Sequence, residues 1–195
     1  MFDYFDVSII IYSIGPNDNI ARCVRSSLAQ SLPGRSMQLI LSSFSGERLP
    51  VALLNSNRVD VQIVETHKDC NDSKDWLNTS LQQTTSHFVI FLNGNDFVRN
   101  YMFFIQLLYL YDHKKSMAAS VDHWLVAPNS DEKLKKGSFR RDPYFSGVMW
   151  RKDFLDANPE VLAQFEPLHN YILPDALMKE IEIGEIPISF LRHSQ

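Results

Sequence analysis

The chain has 195 residues, of which 45% are hydrophobic, and a formal net charge of −4. That is enough apolar material for one domain with a sizeable core and too little length for a second full domain. The acidic balance supplies no global positive field, so nucleic acid is excluded as the leading partner, and the pair Cys23 and Cys70 is too few for a disulfide framework.

The segment Met1 to Asp6 is aromatic and acidic, whereas a secretory signal begins basic and continues apolar. The expectation is a mature N-terminus in the cytoplasm. Val7 to Ile11 reads as a first strand, ended by Gly15-Pro16, after which Asn17, Asp18 and Asn19 compete to cap a helix. In that helix Ile20, Cys23, Val24, Ser27 and Leu28 form one apolar stripe, Arg22 and Arg25 face water, and Pro33-Gly34 ends it. Met37 to Leu41 is a second strand, parallel to the first because a helix joins them.

A short helix around Pro50 to Leu54 and a third strand at Val59 to Glu65 continue the alternation. His67 and Cys70 have the look of half a metal site, but no second His/Cys pair follows at zinc-finger spacing. Ser73 caps a helix carrying Trp76, Leu77, Ser80, Leu81 and Thr84, which feeds a strand from His87 to Leu92. Tyr101 to Tyr111 falls short of the ~20 apolar residues that span a bilayer. It reads as a helix against the sheet with tyrosine hydroxyls at the rim, the alternative being a face that rests on a membrane.

The second half is less regular. Ala118 to Pro128 reads as a strand, Asp131 to Asp142 as a polar loop, Ser146 to Trp150 as a strand, with helices around Phe154, Val161 and Ala176 to Ile181. The fold class that follows is α/β, a single domain with a central, mostly parallel sheet flanked by helices.

The apolar run from His87 to Leu92 halts on Asn93-Gly94-Asn95-Asp96. Ligands of open α/β sheets collect at the carboxyl ends of strands, which makes this cluster the leading site. The alternative is that Asn-Gly is a hairpin turn; against it, Asn95 to Arg99 does not alternate, and Asn100 reads as the cap of the next helix.

Val7 to Ile11, the phrase Ser27-Leu28-Ala29-Gln30-Ser31-Leu32-Pro33, the strand Met37 to Leu41 and the cluster at Asn93 to Asp96 together resemble the family 2 glycosyltransferases. The resemblance covers residues 7 to 100 and extends loosely beyond. It implies a GT-A (Rossmann-like) fold, with residues 1–100 as the nucleotide-sugar-binding half and 101–195 as the acceptor-side half. It also implies inverting transfer of a sugar from a nucleotide-diphosphate donor to an acceptor hydroxyl, in glycan or polysaccharide synthesis.

Several positions depart from the family pattern. Tyr12 stands where the family has Pro, Ser42 and Ser43 where it has two aspartates, and Leu77 where an arginine precedes Asn78. Asn93 and Asn95 replace the two aspartates of its Asp-x-Asp, leaving Asp96 as the one carboxylate of the cluster. The resemblance assigns Ser42, Ser43, Asn78, Asn93, Asn95 and Asp96 to the donor, and Asp96 with Asn95 to a Mn²⁺ or Mg²⁺ ion that binds feebly without nucleotide.

Family 2 enzymes also use a late carboxylate to take the acceptor's proton. Asp175 matches best, since it follows Pro174 and begins a helix whose macrodipole favours an ionised side chain, the alternative being that it merely caps that helix; Glu166 and His169 are weaker candidates. Gly147 to Arg151 resembles the acceptor-side strand, so Trp150 and Arg151 are placed toward the acceptor, with Trp150 alternatively in the core. Lys133, Lys135, Lys136, Arg140 and Arg141 read either as a solvated charge run or as a lid over diphosphate or anionic lipid.

The partners implied are a nucleotide-sugar donor, a glycan, lipid-linked or protein acceptor, and a partner glycosyltransferase, in the cytoplasm or peripheral to the inner face of a membrane. The competing function is a catalytically inactive GT-A scaffold that binds a partner protein.

Overall fold

The computed structural model describes residues 5–13, 19–43, 61–67, 73–127, 132–164 and 172–194. Strand β1 (Phe5–Ser13) is buried at every residue except Asp6, β2 (Met37–Ser43) at every residue, and β4 (Ser86–Asn93) at every residue except His87. Strands covered on both faces need uninterrupted apolar runs, which is what these segments supply. Strand β3 (Val61–His67) completes a parallel block in which β2 pairs with β3 and β1 lies between β2 and β4.

Helix α1 (Ile20–Leu28) connects β1 to β2 and turns Ile20, Cys23, Val24 and Ser27 inward, as its spacing requires. Successive strand residues point to opposite faces, so the core divides into two layers. Ile9, Ile11, Leu39, Leu41, Ile90 and Leu92 pack with α1 and with Met102, Phe103, Leu107 and Leu110 of α3 (Met102–Asp112). Ile10, Ile40, Val89 and Phe91 pack with Trp76, Leu77 and Leu81 of α2 (Ser73–Gln82).

The second half wraps the sheet past β4. Strand β8 (Met149–Arg151) pairs antiparallel with β4, and β6 (Ala118–Val126) pairs antiparallel with β8. Strand β9 (Ile183–Ser194) runs parallel to β6, and the short β5 (Phe97–Val98) closes the order β3-β2-β1-β4-β8-β6-β9-β5. Off this path β7 (Lys133–Gly137) pairs with β6. Helices α4 (Lys152–Ala157), α5 (Glu160–Ala163) and α6 (Asp175–Glu180) fall where the sequence pattern puts them.

Three expectations are corrected and one strand is added. The supposed polar loop from Asp131 to Asp142 contains β7, because β6 offers its free edge there. The strand expected to begin at Ser146 begins at Met149, since Ser146 and Gly147 are used to hold the end of β4. The twelve-residue β9 was not anticipated at all. Asn100 does not cap α3; Tyr101 does, with φ +68°, while Asn100 Oδ1 accepts the N–H groups of Ser31 and Tyr101. The helix expected at Pro50 to Leu54, together with Cys70, Glu166 and His169, lies outside the described residues. Among those residues no helix is long and apolar enough to cross a membrane.

β6 and β9 run in the direction of β4. Ala119 and Ile90 stand level, both paired to Met149, so His123 lies four positions beyond one as Gly94 lies four beyond the other. The later halves of β6 and β9 therefore flank the edge where β1, β2 and β4 end.

Candidate functional site

At that carboxyl edge Tyr12 is in register with Ser42 on one side and Asn93 on the other. Beyond Asn93 the chain makes a tight turn: the Asp96 N–H donates to the Asn93 carbonyl at 2.9 Å, and the Asn95 N–H donates to Asn93 Oδ1 at 2.9 Å. The Gly94 N–H donates to the Tyr12 carbonyl at 2.8 Å, tying the turn to β1. It is not a hairpin, because β5 leaves to pair with β9 instead of returning along β4.

Each polar side chain of the turn meets a protein donor. Asn95 Oδ1 accepts the N–H of Asn19 at 2.9 Å, which anchors the start of α1 to a turn 76 residues away. The Ser146 hydroxyl donates to Asp96 Oδ2 at 2.6 Å and accepts the Asn93 N–H at 3.0 Å. Asp96 is only 3% exposed. Next to Ser146, Gly147 has φ +85° and gives its N–H to the Phe91 carbonyl; a Cβ there would sit 2.6 Å from Leu191 Cδ2. The position thus needs glycine for both conformation and space.

Tyr144 lies close enough to feel this carboxylate. Burial, then the charges of Asp142 and Asp96, hold its phenol above the usual tyrosine value. Its ring stands edge-on to His123, with centroids 4.7 Å apart. His123 is buried, and it fits because its opposite number in β7 is Gly137, where a Cβ would fall 2.0 Å from His123 Nε2. Ser146, Tyr144 and His123 are the residues of this region that sequence pattern did not reveal. None carries a local signal, because Ser146 and Tyr144 approach the turn, and His123 approaches Tyr144, only in the folded chain.

The other expected residues divide. Ser42 is fully buried with its hydroxyl 2.7 Å from that of Ser80, so it faces α2. Ser43, next along the strand, is also buried, and Asn78 on α2 is half-buried. Asp175 stands exposed in the first turn of α6, with Pro174 as the N-cap, so it is not the capping residue. Its segment approaches the site: the Leu173 N–H donates to the Pro143 carbonyl at 2.8 Å, and Ile172 bridges to Tyr144.

Trp150 and Arg151 are not brought there. Trp150 is wholly buried between Phe145 and Phe154. Arg151 pairs with Phe88 at the opposite end of β4 and donates to the carbonyls of Leu110 and Ser116, closing the last turn of α3. A cavity of about 420 Å³ lined by Ser86, Phe88, Tyr111 and Arg151 lies at that far end.

A divalent ion of the Mg²⁺ type needs several oxygen ligands, commonly one or two carboxylates with substrate phosphates. Here Asp96 is the sole carboxylate of the turn, one of its oxygens is held by Ser146, and Asn93 and Asn95 direct Oδ1 at backbone N–H groups. Among the described residues no group of three or more His, Cys, Asp or Glu comes together. Among the described residues, those at the turn do not fit a Mn²⁺ or Mg²⁺ ion held by the protein alone.

No protein-family model matches the sequence, and no curated protein does. The architecture, by contrast, is shared with solved structures of Staphylococcus aureus TarS. TarS 1–349 in complex with UDP-GlcNAc has a TM-score of 0.71 at 13% identity, covering 97% of this chain and 58% of that one. The fold is of the GT-A type. The same TarS fragment in complex with UDP gives a TM-score of 0.70 at 13% identity, over 97% of this chain and 60% of that chain. A structure of TarS itself gives 0.69 at 13% identity, over 97% and 37%. The chain therefore spans less than two thirds of the length of these relatives in fold.

Proposed function

We propose that this domain is a glycosyltransferase that moves a sugar from a nucleoside-diphosphate donor to an acceptor hydroxyl with inversion, in glycan or polysaccharide synthesis. The observation that carries the reading is the GT-A fold, shared over 97% of the chain with a protein solved in complex with UDP-GlcNAc. Ligands of such open sheets bind beyond the carboxyl ends of the strands. The described residues there include the polar turn Asn93–Asp96 and, on the far side of β1, Ser43.

In this reading Asn93, Asn95 and Asp96 fix the backbone against which the diphosphate lies, and Ser42, Ser43 and Asn78 shape the nucleoside side. The acceptor oxygen attacks the anomeric carbon, the bond to the departing nucleoside diphosphate breaks with its electron pair, and Asp175 takes the acceptor's proton. Asp175 suits that task by being exposed at the mouth of the segment tied to Pro143 and Tyr144. A divalent ion would have to arrive with the donor and meet Asp96, the one carboxylate of the turn. The acceptor in this reading is a glycan, lipid-linked or protein hydroxyl, and a second glycosyltransferase is the proposed partner.

One observation favours a second reading, a non-catalytic scaffold: every side chain of the turn is engaged in holding the turn itself. Calorimetry with UDP and UDP-GlcNAc, with and without Mn²⁺, separates the two, alongside a transfer or donor-hydrolysis assay. We expect UDP to bind more tightly with Mn²⁺, Asp96→Asn to lose that increment, and Asp175→Asn to bind donor normally while turnover falls by about 10²–10⁴-fold. Absence of binding by any nucleoside diphosphate would reject the enzyme reading in favour of the scaffold.

A further inference from the structure

The segment Glu132 to Asp142 carries five positive side chains and two negative ones in a chain whose net charge is −4. Folding presents this charge instead of neutralising it. Lys133, Leu134, Lys135 and Lys136 are all exposed on β7, which among the described residues has a strand on one side only. Two ion pairs among the described residues here are long: Lys136 Nζ is 3.9 Å from Asp122, and Arg140 Nε is 3.8 Å from Glu185 with side chains 84% and 45% exposed. Such pairs do little to cancel a surface field.

Lysines on an edge strand have a simpler use, since they deter edge-to-edge association. That use does not account for Leu134, which is 54% exposed, more than any other large hydrophobic side chain among the described residues. An exposed leucine on a free edge works against such protection. Nor does it account for Arg140 and Arg141, which lie past the end of the strand. Both chemistries are satisfied together at one kind of surface, where cations meet lipid phosphates and an apolar side chain enters the boundary between headgroups and acyl chains.

We propose that strand β7 and the turn after it, through Lys133, Leu134, Lys135, Lys136, Arg140 and Arg141, dock this domain on an anionic phospholipid bilayer. Strand β7 flanks the carboxyl edge of the sheet: Gly137 lies opposite His123, whose ring packs on Tyr144 beside the Asp96 turn. Docking there brings that turn to the bilayer surface, where a hydroxyl borne on a lipid would reach it. The contact itself does not depend on the donor reading, so the two fail separately.

The test is co-sedimentation with vesicles of phosphatidylglycerol and phosphatidylcholine in equal parts, and with vesicles of phosphatidylcholine alone, over a salt series. We expect binding to the anionic vesicles only, falling steeply with salt. Replacing Lys133, Lys135 and Lys136 together by Gln should weaken it about a hundredfold, and Leu134→Ser should weaken it about fivefold, on the transfer scale of one partly exposed side chain. Unchanged thermal unfolding shows that these surface variants remain folded. Equal binding to both vesicle types, no binding to either, or wild-type binding by the Gln variant overturns the proposal. So does tight binding of inorganic polyphosphate without binding to vesicles, which would mark a phosphate-polymer site.

Discussion

Ser146 joins two segments that meet only in the folded state, donating a hydrogen bond to Asp96 and accepting the Asn93 N–H. Removing it strands a buried carboxylate oxygen and a buried N–H together. Ser146→Ala should therefore cost about 1–3 kcal/mol, read as a lower urea midpoint with an unchanged slope, while Ser146→Thr keeps the hydroxyl and most of the stability. Tyr144 makes a separate prediction. Its folded value is raised above 10.0, so the folded state keeps a proton that the unfolded state releases. Its contribution is fully present below pH 10 and is lost as pH rises through the folded value. Tyr144→Phe should flatten the alkaline limb of the stability curve, checked by melting temperatures at alkaline pH, and an identical limb in both proteins would exclude this role. At this scale the sequence located the end of β4, because an apolar run that stops on Asn93-Gly94-Asn95-Asp96 marks a strand end. It did not show where side chains face: Ser42 turns to Ser80, and Trp150 turns to Phe145 and Phe154, since neighbours on other elements decide the direction.

The parallel block was readable because β1, β2 and β4 are buried on both faces and so carry continuous apolar residues. Truncating one of these side chains should be costly. Phe91 is wholly buried and packs on Phe145 with ring centroids 5.0 Å apart, and Phe91→Ala should destabilise by about 3–5 kcal/mol, measured by urea unfolding. β7 and β9 were not readable. β9 holds Glu185, Pro187, Arg192 and His193 among its apolar residues, and β7 is three lysines, a leucine and a glycine. Each becomes a strand only because β6 offers it an edge. The close approach of Gly137 to His123 gives that pairing a test: Gly137→Ala forces a Cβ onto the imidazole and should cost about 1–3 kcal/mol. Adding His123→Ala should recover part of the loss, whereas simple additivity of the two changes would show that the contact is not the cause.

For the whole molecule, the fold and the chemistry rest on different observations. A TM-score of 0.71 over 97% of the chain fixes the architecture at 13% identity, yet a fold hosts many functions and the site decides which. The site here has one buried carboxylate and two asparagines turned to backbone donors, so its use of a donor must be shown at the turn itself. Amide hydrogen exchange with and without UDP and Mn²⁺ does this most directly, because it reports both whether the nucleotide binds and where. The account predicts slowed exchange at Ser42, Ser43 and Asn93 to Asp96, with little change at the far end of the sheet around Phe88 and Arg151. Unaltered exchange along the Asn93–Asp96 turn, or protection confined to the far-end cavity, would contradict it.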